Sequence, residues 1–184
     1  MSRIESNMLP LGTIAPQFVL KDVISGELIK LMDKHQYTAT VLMFICNHCP
    51  YVKHVNSQLT LLANEYIPKE IRFLAISSND VENYPADSPQ NMKIVAKELD
   101  YPFPYLYDET QEVAKAYNAA CTPDFYIFDT SLSLVYRGQL DDSRPGNNIP
   151  VTGNSIRMAL DHLIQKEPIE FEQKPSIGCN IKWK

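Results

Sequence analysis

The run Thr40-Val41-Leu42-Met43-Phe44-Ile45-Cys46-Asn47-His48-Cys49-Pro50 decides how the rest of the chain is read. Residues 40–45 are an unbroken apolar and β-branched series, long enough for a strand buried on both faces. Pro50 then opens a stretch in which Val52, Val55, Leu59, Leu62 and Tyr66 recur at steps of three and four, one apolar face of a helix. The segment reads strand, short turn, helix, with a Cys-x-x-Cys pair at the junction. A thiol pair at a helix N-terminus in an α/β chain points to dithiol–disulfide chemistry.

Upstream, residues 14–21 and 27–31 read as short strands about the Ser25-Gly26 turn, an N-terminal hairpin with Pro16 at a strand entry. Downstream, the helix 50–67 is stopped by Pro68, and residues 72–77 form the next buried strand. Residues 78–91 are an acidic loop rich in helix breakers, and its stretch 79–88 reads first as a solvated insertion, with a border of the substrate groove as the alternative. A helix follows over 89–99, then a short strand at 105–107 and a short capped helix over 113–117. A proline-led strand over 122–129 pairs with 132–137 as an antiparallel hairpin. After a second long loop, 138–151, a helix over 152–165 closes the body. The tail 167–184 has two prolines and no long periodic run, yet carries Ile177, Cys179, Ile181 and Trp183, and is expected to lie on the body. The order predicts one domain over 1–184, an α/β fold with a mixed, mostly parallel central sheet and helices on both faces.

Composition narrows the function. A chain of 184 residues can bury one substantial core, and ten tyrosines with seven phenylalanines predict an aromatic-rich interior. A net charge of −5 gives nucleic acid and anionic membrane no dominant positive patch to meet. No segment reaches the roughly eighteen continuous apolar residues of a membrane span. Met1 to Thr13 is mixed polar without the apolar core of a signal peptide, which predicts a cytoplasmic protein, and four cysteines are a thin disulfide framework for this length.

Four features carry a resemblance to a known family: Ala15-Pro16-Gln17-Phe18, the centre Phe44 to Tyr51, Thr122-Pro123 ahead of a strand, and Arg137-Gly138-Gln139-Leu140-Asp141-Asp142. Together they resemble the thioredoxin-fold redoxins grouped with alkyl hydroperoxide reductase and thiol-specific antioxidant proteins, with a cysteine-asparagine-histidine-cysteine centre. The resemblance implies a thioredoxin-like fold, a disulfide-forming Cys46–Cys49 pair, and a cis Pro123 facing it with the Thr122 backbone open to an extended substrate. It implies a thiol or disulfide substrate and an external reductant such as a thioredoxin or glutathione system, with no bound cofactor. Two departures stand out. Ile45, Asn47 and His48 replace the tryptophan and the glycine-proline of the usual thioredoxin centre. Cys46 stands where a related peroxidase has threonine three residues before its reactive cysteine, here Cys49.

The residues themselves assign roles as follows. Cys46, ahead of the helix, is the expected nucleophile, since unpaired N–H groups and the dipole favour its thiolate. His48 adds positive charge when protonated. Cys49, on the first turn, resolves the mixed disulfide. Cys121 reads either as a third redox thiol or as an inert buried cysteine, and Cys179 is expected to approach Cys46 or Cys121 in some redox state. Asp142 is a candidate proton shuttle for Cys49, and Arg144 a candidate for the arginine that peroxidases use. A thiol peroxidase is the second enzyme reading. A copper or zinc carrier using Cys46, Cys49, His48 and His54 is a third, and a non-catalytic binding module a fourth. Monomer and homodimer both stay open.

Overall fold

The computed structural model describes residues 3–184, so the first two residues of the Met1–Thr13 stretch lie outside the described residues. The decisive run forms strand and helix as the periodicity requires. We number the elements in chain order. The central strand β4 (Ala39–Phe44) is buried along its whole length, and alternation sends its side chains to two cores. Val41 and Met43 meet helix α1 (Pro50–Tyr66) through Val52, Val55 and Leu59. Leu42 and Phe44 meet the opposite layer, with Phe18 and Tyr117.

Around β4 the sheet takes the order β3-β2-β6-β5-β4-β8-β9, where β2 is Val19–Asp22, β3 Leu28–Lys30, β5 Ile71–Ser77, β6 Tyr105–Tyr107, β8 Asp124–Asp129 and β9 Leu134–Gly138. Helices α2 (Pro89–Glu98) and α4 (Asn154–Gln165) pack with α1, while the short α3 (Glu112–Ala116) covers the other face. Tyr66, Tyr105, Tyr117, Tyr126 and Tyr136 are among the largest fully buried side chains, as the aromatic count anticipates.

Three expectations need correction. The sheet is mixed, but only the β4–β5 and β5–β6 ladders are parallel, and the flanking ladders are antiparallel. The first strand starts at Val19 and not at residue 14, because Ala15 N–H donates to Leu132 and the stretch before it leans on the β8–β9 turn. The loop 78–91 is solvated only in its middle: residues 82–86 are exposed, whereas Asn79, Asp80 and Asp87 are all buried.

The tail does more than lie on the body. It forms β10 (Ile177–Asn180), the middle strand of a second, three-stranded sheet between β1 (Arg3–Glu5) and β7 (Cys121–Thr122). The proline-led segment is therefore split at Pro123. Thr122 belongs to the small sheet and Asp124 to the central one.

Candidate active site

Cys49 is the N-cap of α1, with extended backbone, and Pro50 fills the first helical position, where a missing N–H costs nothing. No side chain caps the helix and no acidic residue sits in its first turn, so the positive end of the helix is left to the Cys49 sulfur. Cys46 ends the chain's exit from β4. The cysteine pair meets Thr122, whose bond to Pro123 is cis. Thr122 divides its two polar groups between the sulfurs. Its hydroxyl lies 3.4 Å from Cys46 Sγ, and its carbonyl lies 3.2 Å from Cys49 Sγ and accepts from the thiol.

A third sulfur completes the group. Cys179 Sγ is 2.8 Å from Cys49 Sγ, and all three cysteines are closed off, with Cys46 2%, Cys49 0% and Cys179 3% exposed. Cys179 thus approaches Cys49, not Cys46 or Cys121. The reason is register: β10 places Cys179 opposite Thr122 and Asn180 opposite Cys121. Cys121 projects the other way, its sulfur 3.7 Å from the Pro123 carbonyl, with its pKa raised by burial and the Asp124 carboxyl.

The three thiols share one favourable seat for a negative charge. The Cys46 thiol donating to it, against the cost of burial, lowers Cys49 from an ordinary 9.0 to about 5, helped by the Cys179 thiol and the Val52 N–H. Cys46 moves upward, first because it is the donor to Cys49, then through burial and the Asp87 carboxylate. Cys179 is pushed up to about 12 by burial and by its bond to Cys49. Cys46 and Cys49 thus share one proton, and the downward shift falls on Cys49, whereas the helix-terminus argument from sequence favours Cys46.

Asp87 is the residue that sequence reasoning missed. Fully buried, it accepts from Asn47 N–H (2.8 Å), His48 N–H (3.2 Å) and Asn79 Nδ2 (2.8 Å), and its second oxygen lies 2.5 Å from His48 Nδ1. Burial alone would raise its pKa, but the His48 and Asn79 bonds outweigh that and hold it below the usual carboxylate value. Any charge on His48 is paired with this carboxylate, so the charge that Cys46 senses is negative. Nothing in the sequence around Asp87 marks it. Gly178, by contrast, has a readable signal, since a glycine before a cysteine in an apolar segment marks close backbone approach.

The remaining candidates lie outside the thiol group. Arg144 donates to the Asp141 and Ser143 carbonyls and to Gln139 Oε1, tying its own loop together. Asp142 is bound by Lys174 Nζ and Gln139 Nε2. His54 lines a hollow of about 10 Å³ with Tyr51, Pro123 and Arg144. Among the described residues, the group of three or more metal-type donors within 4.8 Å of one another is Cys46, His48 and Asp87, not the four-residue set read from sequence. Asp87's oxygens are already engaged by four groups of the chain, so this set is a poor fit to a metal. A roomier hollow of about 430 Å³, lined by His35, Tyr37, Thr40 and Asp129, lies by the opposite end of β4. Among the described residues no helix is long and apolar enough to cross a membrane.

The model of the AhpC/TSA family matches residues 11–137. The chain belongs to that family. An uncharacterized conserved protein from Geobacillus kaustophilus superposes with a TM-score of 0.98 at 67% identity, over 100% of this chain and 97% of that one. A hypothetical protein from Sinorhizobium meliloti 1021 gives 0.95 at 43% identity, over 98% of each chain. The thioredoxin domain of a thiol-disulfide oxidoreductase from Bacteroides vulgatus gives 0.62 at 16% identity, over 82% of this chain and 98% of that one. The last likeness is one of fold: the AhpC/TSA chain described here has a thioredoxin-like architecture. No curated protein matches it. The matched family residues end at 137, so β10 and Cys179 lie beyond them, whereas the two more similar structures extend over the tail as well.

Proposed function

We propose that the protein is a thiol-disulfide oxidoreductase whose working pair is Cys46 and Cys49. The observation that carries this reading is the division of Thr122 between the two sulfurs, hydroxyl toward Cys46 and carbonyl toward Cys49. Cys46 and Cys49 together hold one proton and one negative charge at neutral pH. When the proton sits on Cys49 it is donated to the Thr122 carbonyl, and the Thr122 hydroxyl donates to the Cys46 thiolate. That tautomer makes Cys46 the attacking sulfur.

The cycle follows from it. Cys46 thiolate attacks a substrate disulfide, forming a mixed disulfide and expelling one substrate thiolate, which takes up a proton. Cys49 then loses its proton and attacks Cys46 Sγ, releasing the second substrate thiol and leaving a Cys46–Cys49 disulfide. Two electrons pass from the protein to the substrate, and an external reductant, a dithiol of the thioredoxin type or a pair of glutathione-type thiols, restores them in the cytoplasm. His48, held by Asp87, positions the turn between the cysteines. No cofactor enters any step. Peroxide reduction ranks below disulfide exchange because Arg144 is spent on its own loop.

Dithiothreitol-driven reduction of insulin and of cystine tests the reading. Wild-type protein is expected to accelerate at least one of them, and Cys46→Ser to lose the acceleration. Rates equal to dithiothreitol alone for both substrates would remove it.

A further inference from the structure

We propose that Cys179 is a third redox thiol of this site, carried on the C-terminal strand and exchanging disulfide with Cys49. The inference rests on the reading of Cys46 and Cys49 as a redox pair, and adds a residue that lies beyond the matched family segment.

The tail is built into the site, not draped over it. β10 pairs antiparallel with Cys121–Thr122, the backbone edge beside Pro123. Gly178 makes the approach feasible, since a Cβ there would stand 2.0 Å from the Thr122 carbonyl oxygen. Ser176 Oγ donates to the Pro123 carbonyl at 2.5 Å, and Ser176 N–H donates to Ser6 Oγ at 2.8 Å. On the far side, Ile181 N–H donates to Ala120 and Lys182 N–H to Asn79 Oδ1. Both flanks of Cys179 are therefore held, and β1 pairs along its other edge, with Arg3 opposite Cys179. The strand occupies the edge at which an extended substrate would pair, and it puts a thiol on the Cys49 sulfur at 2.8 Å.

This placement permits an internal exchange that needs no added oxidant. Starting from the Cys46–Cys49 disulfide, the Cys179 thiol loses its proton and its sulfur attacks Cys49 Sγ. The Cys46–Cys49 bond breaks, a Cys49–Cys179 bond forms, and Cys46 leaves as a thiolate that takes up the proton. No electrons are gained or lost overall, and Cys46 is returned to its thiol while the oxidising equivalent is kept in the chain. Cys121, one residue from Thr122 but on the opposite side of its strand, takes no part.

Disulfide mapping on the full chain tests this. Cys46→Ser retains three thiols, and diamide, accepting two electrons and two protons, is expected to leave one, Cys121, with a Cys49–Cys179 peptide recovered by mass spectrometry. Wild-type protein oxidised by cystine is expected to contain both Cys46–Cys49 and Cys49–Cys179 disulfides. Three free thiols in folded, diamide-treated Cys46→Ser, or a Cys46–Cys179 disulfide in oxidised Cys49→Ser, would overturn the assignment. Wild-type protein with only the Cys46–Cys49 disulfide and an alkylatable Cys179 would sink it while leaving the dithiol reading intact. No disulfide in wild-type protein would sink both. The wild-type measurement decides the matter even where a serine variant fails to fold.

Discussion

Asp87 grips His48 at both ends of the residue: one carboxylate oxygen takes the main-chain N–H at 3.2 Å, and the other meets ring Nδ1 at 2.5 Å. The turn between the two cysteines is thereby fastened to a loop 39 positions away. Asp87→Asn keeps the shape but loses the charge and one acceptor, leaving buried N–H groups short of a partner. A loss of about 1–3 kcal/mol is expected, measured by urea denaturation of the reduced protein. Since the carboxylate also raises Cys46, the variant should alkylate faster at Cys46 near neutral pH. Unchanged stability together with unchanged alkylation would show that the grip is idle.

Gly178→Ala tests how closely the tail must lie. The backbone of Gly178 is not in the left-handed region, so the substitution acts through the contact with Thr122 alone. We expect β10 to leave β7, a destabilisation of about 2 kcal/mol or more, and iodoacetamide labelling of Cys49 at least about tenfold faster, in keeping with opening of a buried edge. Wild-type labelling rates in the variant would mean that something other than the tail shields the pair.

Cys49 should titrate far below an ordinary thiol. Its folded pKa of about 5 lies beneath the ordinary 9.0, so its contribution to stability is complete above pH 9, shrinks as pH falls between 9 and 5, and is gone below 5. Thiolate absorbance near 240 nm in the reduced protein is expected to show one step with a midpoint near pH 5, absent from Cys49→Ala. A first step near pH 9 would place the charge elsewhere.

Asp124 works in the opposite direction. Complete burial raises its pKa well above 3.8, although the Tyr126 hydroxyl donates to it at 3.0 Å. A raised folded pKa means that stability is fully present below pH 3.8 and is lost as pH climbs toward the folded value, by at most about 1.4 kcal/mol per unit. Asp124→Asn keeps an acceptor for Tyr126 and removes the titration. It should be more stable than wild type at pH 8 and show a flatter stability–pH curve above pH 4, measured by thermal denaturation across that range. A parallel curve would assign the slope to another group.

Much of the architecture could be read residue by residue. The α1 face of Val52, Val55 and Leu59 is where its period places it, and the Pro89 helix starts where expected, with Ser88 as its N-cap. Asp87 could not be read, because an aspartate before a capping serine looks like any solvated loop acid until the turn between the cysteines is brought to it. The same holds for β10. Ile177-Gly178-Cys179-Asn180 is too short and too small-sided for a strand signal, and only the free edges of β1 and β7 make it one.

What the amino-acid order settled alone is local: a strand buried on both faces, a helix begun by proline, and two cysteines at the joint, since hydrophobic period and turn chemistry act over a few residues. Which sulfur holds the charge was left to tertiary structure. That depends on Thr122, 76 positions from Cys46, and on Cys179, 130 positions from Cys49. Contacts of that span arise only when two sheets pack and their register is set, and a thiol's ionisation follows the donors that packing brings to it.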